Sequence, residues 1–150
     1  MTEDLIDDLK LEYFVPYQLS VTSNAISALI ESQYNREFDL RIPEWRLMAI
    51  LGEVDHATQS ILVELTQMDK VTINRATKSL SDRALIVRSP NHADGRSHLL
   101  ALSDEGKELY LKIIPKAKRI EKKILDHLDE GEEEVLMKIL AKLKKAVPPV

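Results

Sequence analysis

Apolar positions recur along most of this chain at three- and four-residue steps, and in one stretch at two-residue steps. The first spacing predicts amphipathic helices, the second a strand. Leu19, Ile26, Leu29 and Ile30, with Gln33 and Tyr34, mark a long helix ending near Phe38. It opens at Val15-Pro16, where proline suits a first turn. Its middle, Ser20 to Ser27, carries small polar residues that let another helix come close. Ile42-Pro43-Glu44-Trp45-Arg46 opens a second helix, with Trp45, Met48, Ala49 and Leu51 inward and Gly52 as its stop. Asp55 to Gln59 is a short connection with room for a small strand. Ser60 then caps a third helix bearing Leu62, Val63 and Leu65. Thr66-Gln67-Met68 turns into a fourth helix, capped by Asp69, whose carboxylate accepts from first-turn amides. Ahead of all this, residues 1–12 are acidic and loosely amphipathic through Leu5, Ile6 and Leu9, which predicts a short helix or arm.

In the fourth helix, Ile73, Ala76 and Leu80 form one apolar stripe. Lys70, Thr72, Asn74, Arg75 and Lys78 occupy the other face, with no carboxylate among them after the cap. Cations mixed with amide and hydroxyl donors suit phosphates and base edges. Taken alone, the stretch also describes a basic surface helix. Two short helices joined by a few residues, the second basic, make the helix-turn-helix pattern. Ser81 to Leu85 finish that helix, and Ile86-Val87-Arg88-Ser89 reads as a strand. Pro90 to Arg96 is a run of turn residues. His98, Leu100 and Leu102 then alternate with Leu99 and Ala101 as a second strand. A helix-turn-helix followed by a hairpin is a winged helix, so the fold class is mainly α with a small β-hairpin.

Ser103 caps the next helix, with Asp104 and Glu105 in the favourable first turn. Leu109, Ile113, Ala117, Ile120, Ile124 and Leu128 line one side of it, and Pro115 should kink it. Gly131 punctuates, and Val135, Leu136, Ile139, Leu140 and Leu143 mark a last helix before Pro148-Pro149. Neither a repeat nor a low-complexity segment interrupts the chain. One winged domain does not need so many long stripes. Either the terminal helices pack on their own winged domain, or they bury themselves in a two-fold homodimer. The dimer is favoured because two-fold DNA readers place two half-sites about one helical turn apart. The expected organisation is one domain over 1–150, with dimerisation helices at about 1–38 and 104–147 and a winged-helix DNA-binding lobe at about 42–103.

Composition changes this picture in two places. The 150 residues carry no cysteine, which removes disulfides, thiolate metal sites and thiol redox sensing. The net charge of −4 argues against a nucleic-acid partner, but its distribution argues for one. Between Asp69 and His98 stand six cations against three anions, a local net of +3, which leaves −7 for the remainder. Such asymmetry concentrates positive potential on one region. The acidic start lacks the basic flank of a signal peptide, and no apolar run is long enough to span a bilayer, so a cytoplasmic location is expected. Catalysis finds little support. No serine sits in a Gly-x-Ser-x-Gly turn, and His56, His92, His98 and His127 are scattered rather than paired at metal-ligand spacing. Neither a cofactor nor a metal is expected. Glu132-Glu133-Glu134 reads as a first turn complementing a helix dipole.

At these residues the chain resembles the MarR family of transcription regulators. The resemblance rests on Asp69-Lys70-Val71-Thr72-Ile73-Asn74-Arg75 with Leu80. It rests further on Asp94-Gly95-Arg96 with Leu100-Ala101-Leu102-Ser103 and Gly106. Pro16-Tyr17 and Leu19, Ser23-Asn24 and Ile42-Pro43-Glu44-Trp45-Arg46 resemble members that sense aromatic acids or their thioesters. The resemblance implies an obligate homodimer with interleaved terminal helices on a pseudo-palindromic operator, usually as a repressor. By the same resemblance, Val71, Thr72, Asn74, Arg75 and Lys78, beside Lys70, read the major groove of double-stranded DNA. Arg96 enters the minor groove, and Asp94 orients basic side chains of the wing. A guanidinium favours a narrow, electronegative groove, and Gln59, Ser60 and Arg88 suit phosphates better than bases.

An effector site would lie between the dimer helices and the winged lobe, with Phe14, Tyr17, Trp45, Met48 and Tyr110 as its candidates. Core or interface packing is the other role open to those side chains. Arg41 and Arg46 are available to meet a ligand carboxylate or phosphate. An aromatic acid or its coenzyme A thioester is the effector class that the resemblance implies. The alternative function is a winged-helix protein-interaction module that keeps the fold without sequence-specific DNA binding. The presence of Lys70, Arg75, Lys78 and Arg96 favours DNA.

Overall fold

Local signals and burial agree over most of the chain in a computed structural model that describes residues 9–149. Leu5 and Ile6 of the expected N-terminal arm lie outside the described residues. A 3-10 turn at Leu11–Tyr13 leads into α1 (Val15–Phe38), followed by α2 (Ile42–Val54), α3 (Gln59–Thr66) and α4 (Lys70–Asp82). Strands β1 (Ile86–Pro90) and β2 (His98–Leu102) come next, then α5 (Asp104–Leu125) and α6 (Glu132–Ala146). β1 and β2 pair antiparallel, with Ile86 opposite Leu102 and Pro90 opposite His98. Ala57 exchanges backbone hydrogen bonds with Leu100 at 3.0 and 2.8 Å. The connection before α3 therefore forms a single β-bridge at Ala57 rather than the small strand its sequence left room for.

The core sits within the winged lobe. Leu47, Met48 and Leu51 of α2 meet Leu62 of α3, Ile73, Ala76 and Leu80 of α4, and Ile86, Leu100 and Leu102 of the hairpin. Tyr34 of α1, Leu40 just beyond its end and Ile113 of α5 close it. Each fully buried Leu or Ile contributes roughly 1.5–3 kcal/mol by leaving water. Ser103 starts α5 as expected: its hydroxyl accepts from the Gly106 amide and donates to the Ala84 carbonyl. Gly106 is required there, since a Cβ would lie 2.0 Å from the Leu85 carbonyl oxygen.

Several local expectations need correction. Thr58, not Ser60, caps α3; its extended backbone brings the hydroxyl to the Ile61 amide. Gly52 does not stop α2, which continues to Val54. The glycine is instead where the Tyr110 ring lies against the helix: a Cβ would meet that ring at 2.5 Å. α4 ends at Asp82, short of Leu85, and Ala84 follows in the left-handed region at φ 56°. Pro115, where a kink is expected, lies on the exposed side inside α5, which continues to Leu125.

Candidate nucleic-acid interface

Asp69 begins α4 by accepting from the Thr72 amide at 2.8 Å and the Thr72 hydroxyl at 2.7 Å. Those Thr72 hydrogen bonds hold the Asp69 carboxyl below its ordinary pKa. With its start fixed, α4 buries Ile73, Ala76, Thr77 and Leu80. Lys70, Val71, Asn74, Arg75 and Lys78 are thereby turned to solvent together. Val71 is 58% exposed, a methyl-bearing side chain on an otherwise polar face. Two members of the predicted reading set are modified. Thr72 is half-buried and its hydroxyl serves the cap. Lys78 pairs with Asp82 at 2.8 Å, an exposed bridge that puts one carboxylate at the end of the basic face.

The wing adds a second cationic feature. Arg88 on β1 and Arg96 in the hairpin turn line one cavity of about 240 Å³ with Gln59 and Ser60 from the start of α3. Four residues predicted to grip DNA from three separate stretches are thus brought together. Thr58, Ser97 and His98 complete most of the wall. Asp94 acts on backbone rather than on a guanidinium: its carboxylate accepts from the Arg96 amide at 3.0 Å. Asn91 supports the same turn through Ser97 at 2.9 Å and the Ala93 amide at 3.2 Å.

The predicted effector residues separate into three groups. Trp45 and Tyr110 do line a common cavity, of about 400 Å³, with Ile30, Ile114, Ala117, Lys118 and Glu121. Trp45 stands between the rings of Tyr34 and Tyr110, with centroids at 5.7 and 5.8 Å. Met48 is fully buried in the core and lines no part of that cavity. Phe14 and Tyr17, 41% and 40% exposed at the start of α1, are not among its walls either. The cation on the cavity is Lys118, which the sequence reading passed over, and not Arg41 or Arg46. Arg41 lies instead with Arg75, Thr72 and Ser79 in a groove between α2 and α4. Burial pushes the Tyr34 phenol well above its usual pKa, so it stays protonated.

Residues 38–97, which span α2 to the wing turn, match the family model described as MarR family. The transcriptional regulator HosA of Escherichia coli O111:H- is 25% identical over 108 residues, 72% of this chain and 80% of that one. The HTH-type transcriptional repressor NicR of Pseudomonas putida is 30% identical over 91 residues, 59% of this chain and 58% of that one. A crystal structure of a probable transcriptional regulator from Pseudomonas aeruginosa is 30% identical, with a TM-score of 0.77. That likeness covers 89% of this chain and 99% of the other. Together with the winged lobe, these matches place the chain among helix-turn-helix transcription regulators. It belongs to the MarR family.

Proposed function

We propose that this protein is a homodimeric transcription repressor that binds a pseudo-palindromic operator and is released by a small aromatic acid or its thioester. One domain over residues 1–150 carries two jobs: the lobe from about 42 to 103 reads DNA, and helices in about 1–38 and 104–147 join two copies. The observation that carries the reading is that one winged lobe holds two exposed cationic features. The solvent face of α4 offers Lys70, Val71, Asn74, Arg75 and Lys78, while the cavity beside it gathers Gln59, Ser60, Arg88 and Arg96. Arg75 suits bidentate contact with guanine and Val71 suits a thymine methyl. Arg96 suits the minor groove, with Asp94 holding the turn that presents it. Gln59, Ser60 and Arg88 suit phosphate oxygens, and Thr72 takes part through the cap that fixes the helix start.

The dimer is supported by α6. Val135, Leu136, Met137, Ile139, Leu140 and Leu143 are all exposed on an amphipathic helix with no buried residue of its own. A second copy offers the same surface, and a two-fold pairing covers both. The effector reading rests on the Trp45–Tyr110 cavity, whose size falls within the range of small-molecule sites. Its aromatic walls suit a flat ring, with Lys118 available to a carboxylate and Glu121 beside it on the same wall. Among the described residues no helix is long and apolar enough to cross a membrane, which agrees with action on DNA in the cytoplasm.

The test is enrichment of DNA from a random-sequence pool by the full chain, followed by affinity against salt. An enriched inverted repeat, bound more weakly as salt rises and with a shallower slope for Arg96→Ala, is the expected result. No enrichment and no salt-dependent binding would favour the protein-interaction module. For the effector, a thermal-shift series with aromatic acids and acyl thioesters should stabilise the protein by about 2.7 kcal/mol at a hundredfold the dissociation constant.

A further inference from the structure

A helix leaves its last carbonyls without partners inside the helix. α1 ends at a sharply determined corner. Asp39 turns into the left-handed region at φ 51°, the Asn35 side-chain amide donates to the Leu40 carbonyl at 3.0 Å, and Leu40 is fully buried. Two of the carbonyls at that corner are taken by one guanidinium. Arg83 donates from Nη1 to the Asp39 oxygen at 2.7 Å and from Nη2 to the Phe38 oxygen at 2.8 Å. A cation at a helix C-terminus also complements the dipole. Arg83 is the residue that caps α4, the reading helix. Among the described residues, these are the hydrogen bonds that join the α4 end to the α1 end. The principal packing partners of α4 are α2, α3 and β1 instead.

The corner is held from its other side as well. Lys116 of α5 lies 5.3 Å from the Phe38 ring centroid and pairs with Glu37. A second tie fixes α4 within its own lobe: Ser79 donates to Glu44 at 2.7 Å, and Glu44 also accepts from the Arg41 amide. The C-terminal half of α4 is thus anchored to α2, and its cap to the α1–α5 frame, while among the described residues its N-terminal half carries no such side-chain tie to another helix.

We propose that Arg83 is a positioning residue that fixes the reading helix relative to the α1–α5 frame, and so sets the half-site spacing that the dimer accepts. This rests on the operator reading above. Its two-pronged grip needs the planar fork; lysine keeps the charge and offers a single ammonium.

The test uses the full chain and the inverted repeat that it enriches from a random pool, remade with one base pair added or removed between the half-sites. The wild type should prefer the enriched spacing. Arg83→Met and Arg83→Lys should both reduce that preference about 2- to 30-fold, the range typical of couplings through a structural joint. Their affinity for a single half-site should stay unchanged, with helicity and dimer mass preserved. Lys78→Met serves as the contrast, since loss of a solvent-facing cation should weaken every spacing alike. An undiminished spacing preference in Arg83→Met would overturn the assignment. So would a uniform loss at all spacings and at the single half-site, which would make Arg83 an ordinary phosphate contact. If the wild type enriches no repeat, the operator reading itself fails and takes this inference with it.

Discussion

The two apolar surfaces that the sequence announces meet different fates. The stripe of α4 is complete within one chain: Ile73 and Leu80 are fully buried, and Ala76 nearly so, against α2 and α3. The stripe of α6 is of similar regularity, yet Val135, Leu136, Ile139, Leu140 and Leu143 all remain exposed. Periodicity shows that a face must be covered; it does not say by what. A winged lobe that is finished in one chain, carried on a frame that is not, suits the proposed two-fold DNA reader, in which the spacing of the two lobes is left to the pairing of two copies.

The contrast breaks most visibly at α6. Leu136→Asp with Leu140→Asp should weaken self-association on the order of 100-fold or more, since an unpaired carboxylate would enter the interface. Sedimentation should then show a monomer whose helicity is retained, because neither side chain supports the fold of its own chain. Destruction of the fold instead would place α6 against its own lobe. The opposite behaviour is expected at the junction of wing and α5. Gly106→Ala should cost about 1–3 kcal/mol or more by overpacking against backbone that cannot give way, read as a lower denaturation midpoint with the dimer unaffected.

Smaller effects sharpen the same division. Ala84 holds φ 56° between α4 and the wing. Ala84→Gly should therefore stabilise by about 0.5–1 kcal/mol, as at other left-handed positions, and raise the midpoint. The smallest effect is pH-dependent. Because Asp69 has its pKa lowered by the Thr72 bonds, the cap's contribution is present above the ordinary carboxylate range. It is lost as pH falls through the lowered folded value. Asp69→Asn keeps an N-cap acceptor without a titrating charge, so any stability advantage of the wild type over it should shrink as the solution is acidified. An advantage that persists unchanged in acid would remove the carboxylate from the account.

The reading head was legible in the sequence because its signals are local. Asp69, Ser103 and the alternating strand from His98 to Leu102 each declare themselves within a few residues, and all three stand where they were expected. What was missed depends on distant partners. Gly52 looks like a helix stop until the Tyr110 ring, 58 positions later in the chain numbering, is found lying on it. Met48 has the composition of a pocket residue but lies in the core, and Lys118 has that of a surface residue but lines the cavity. Thr58 and Ser60 are both competent caps; only the backbone angles choose between them. The grip of Arg83 on two carbonyls has no sequence signature, because its acceptors are backbone atoms.

The central claim is that α4, presented twice, reads a specific sequence. Its most direct test is the ratio of affinities for the enriched repeat and for a scrambled duplex, measured for wild type and Arg75→Ala at one salt concentration. Arg75→Ala should abolish that ratio while sedimentation still shows a dimer. An unchanged ratio in the variant would contradict the account.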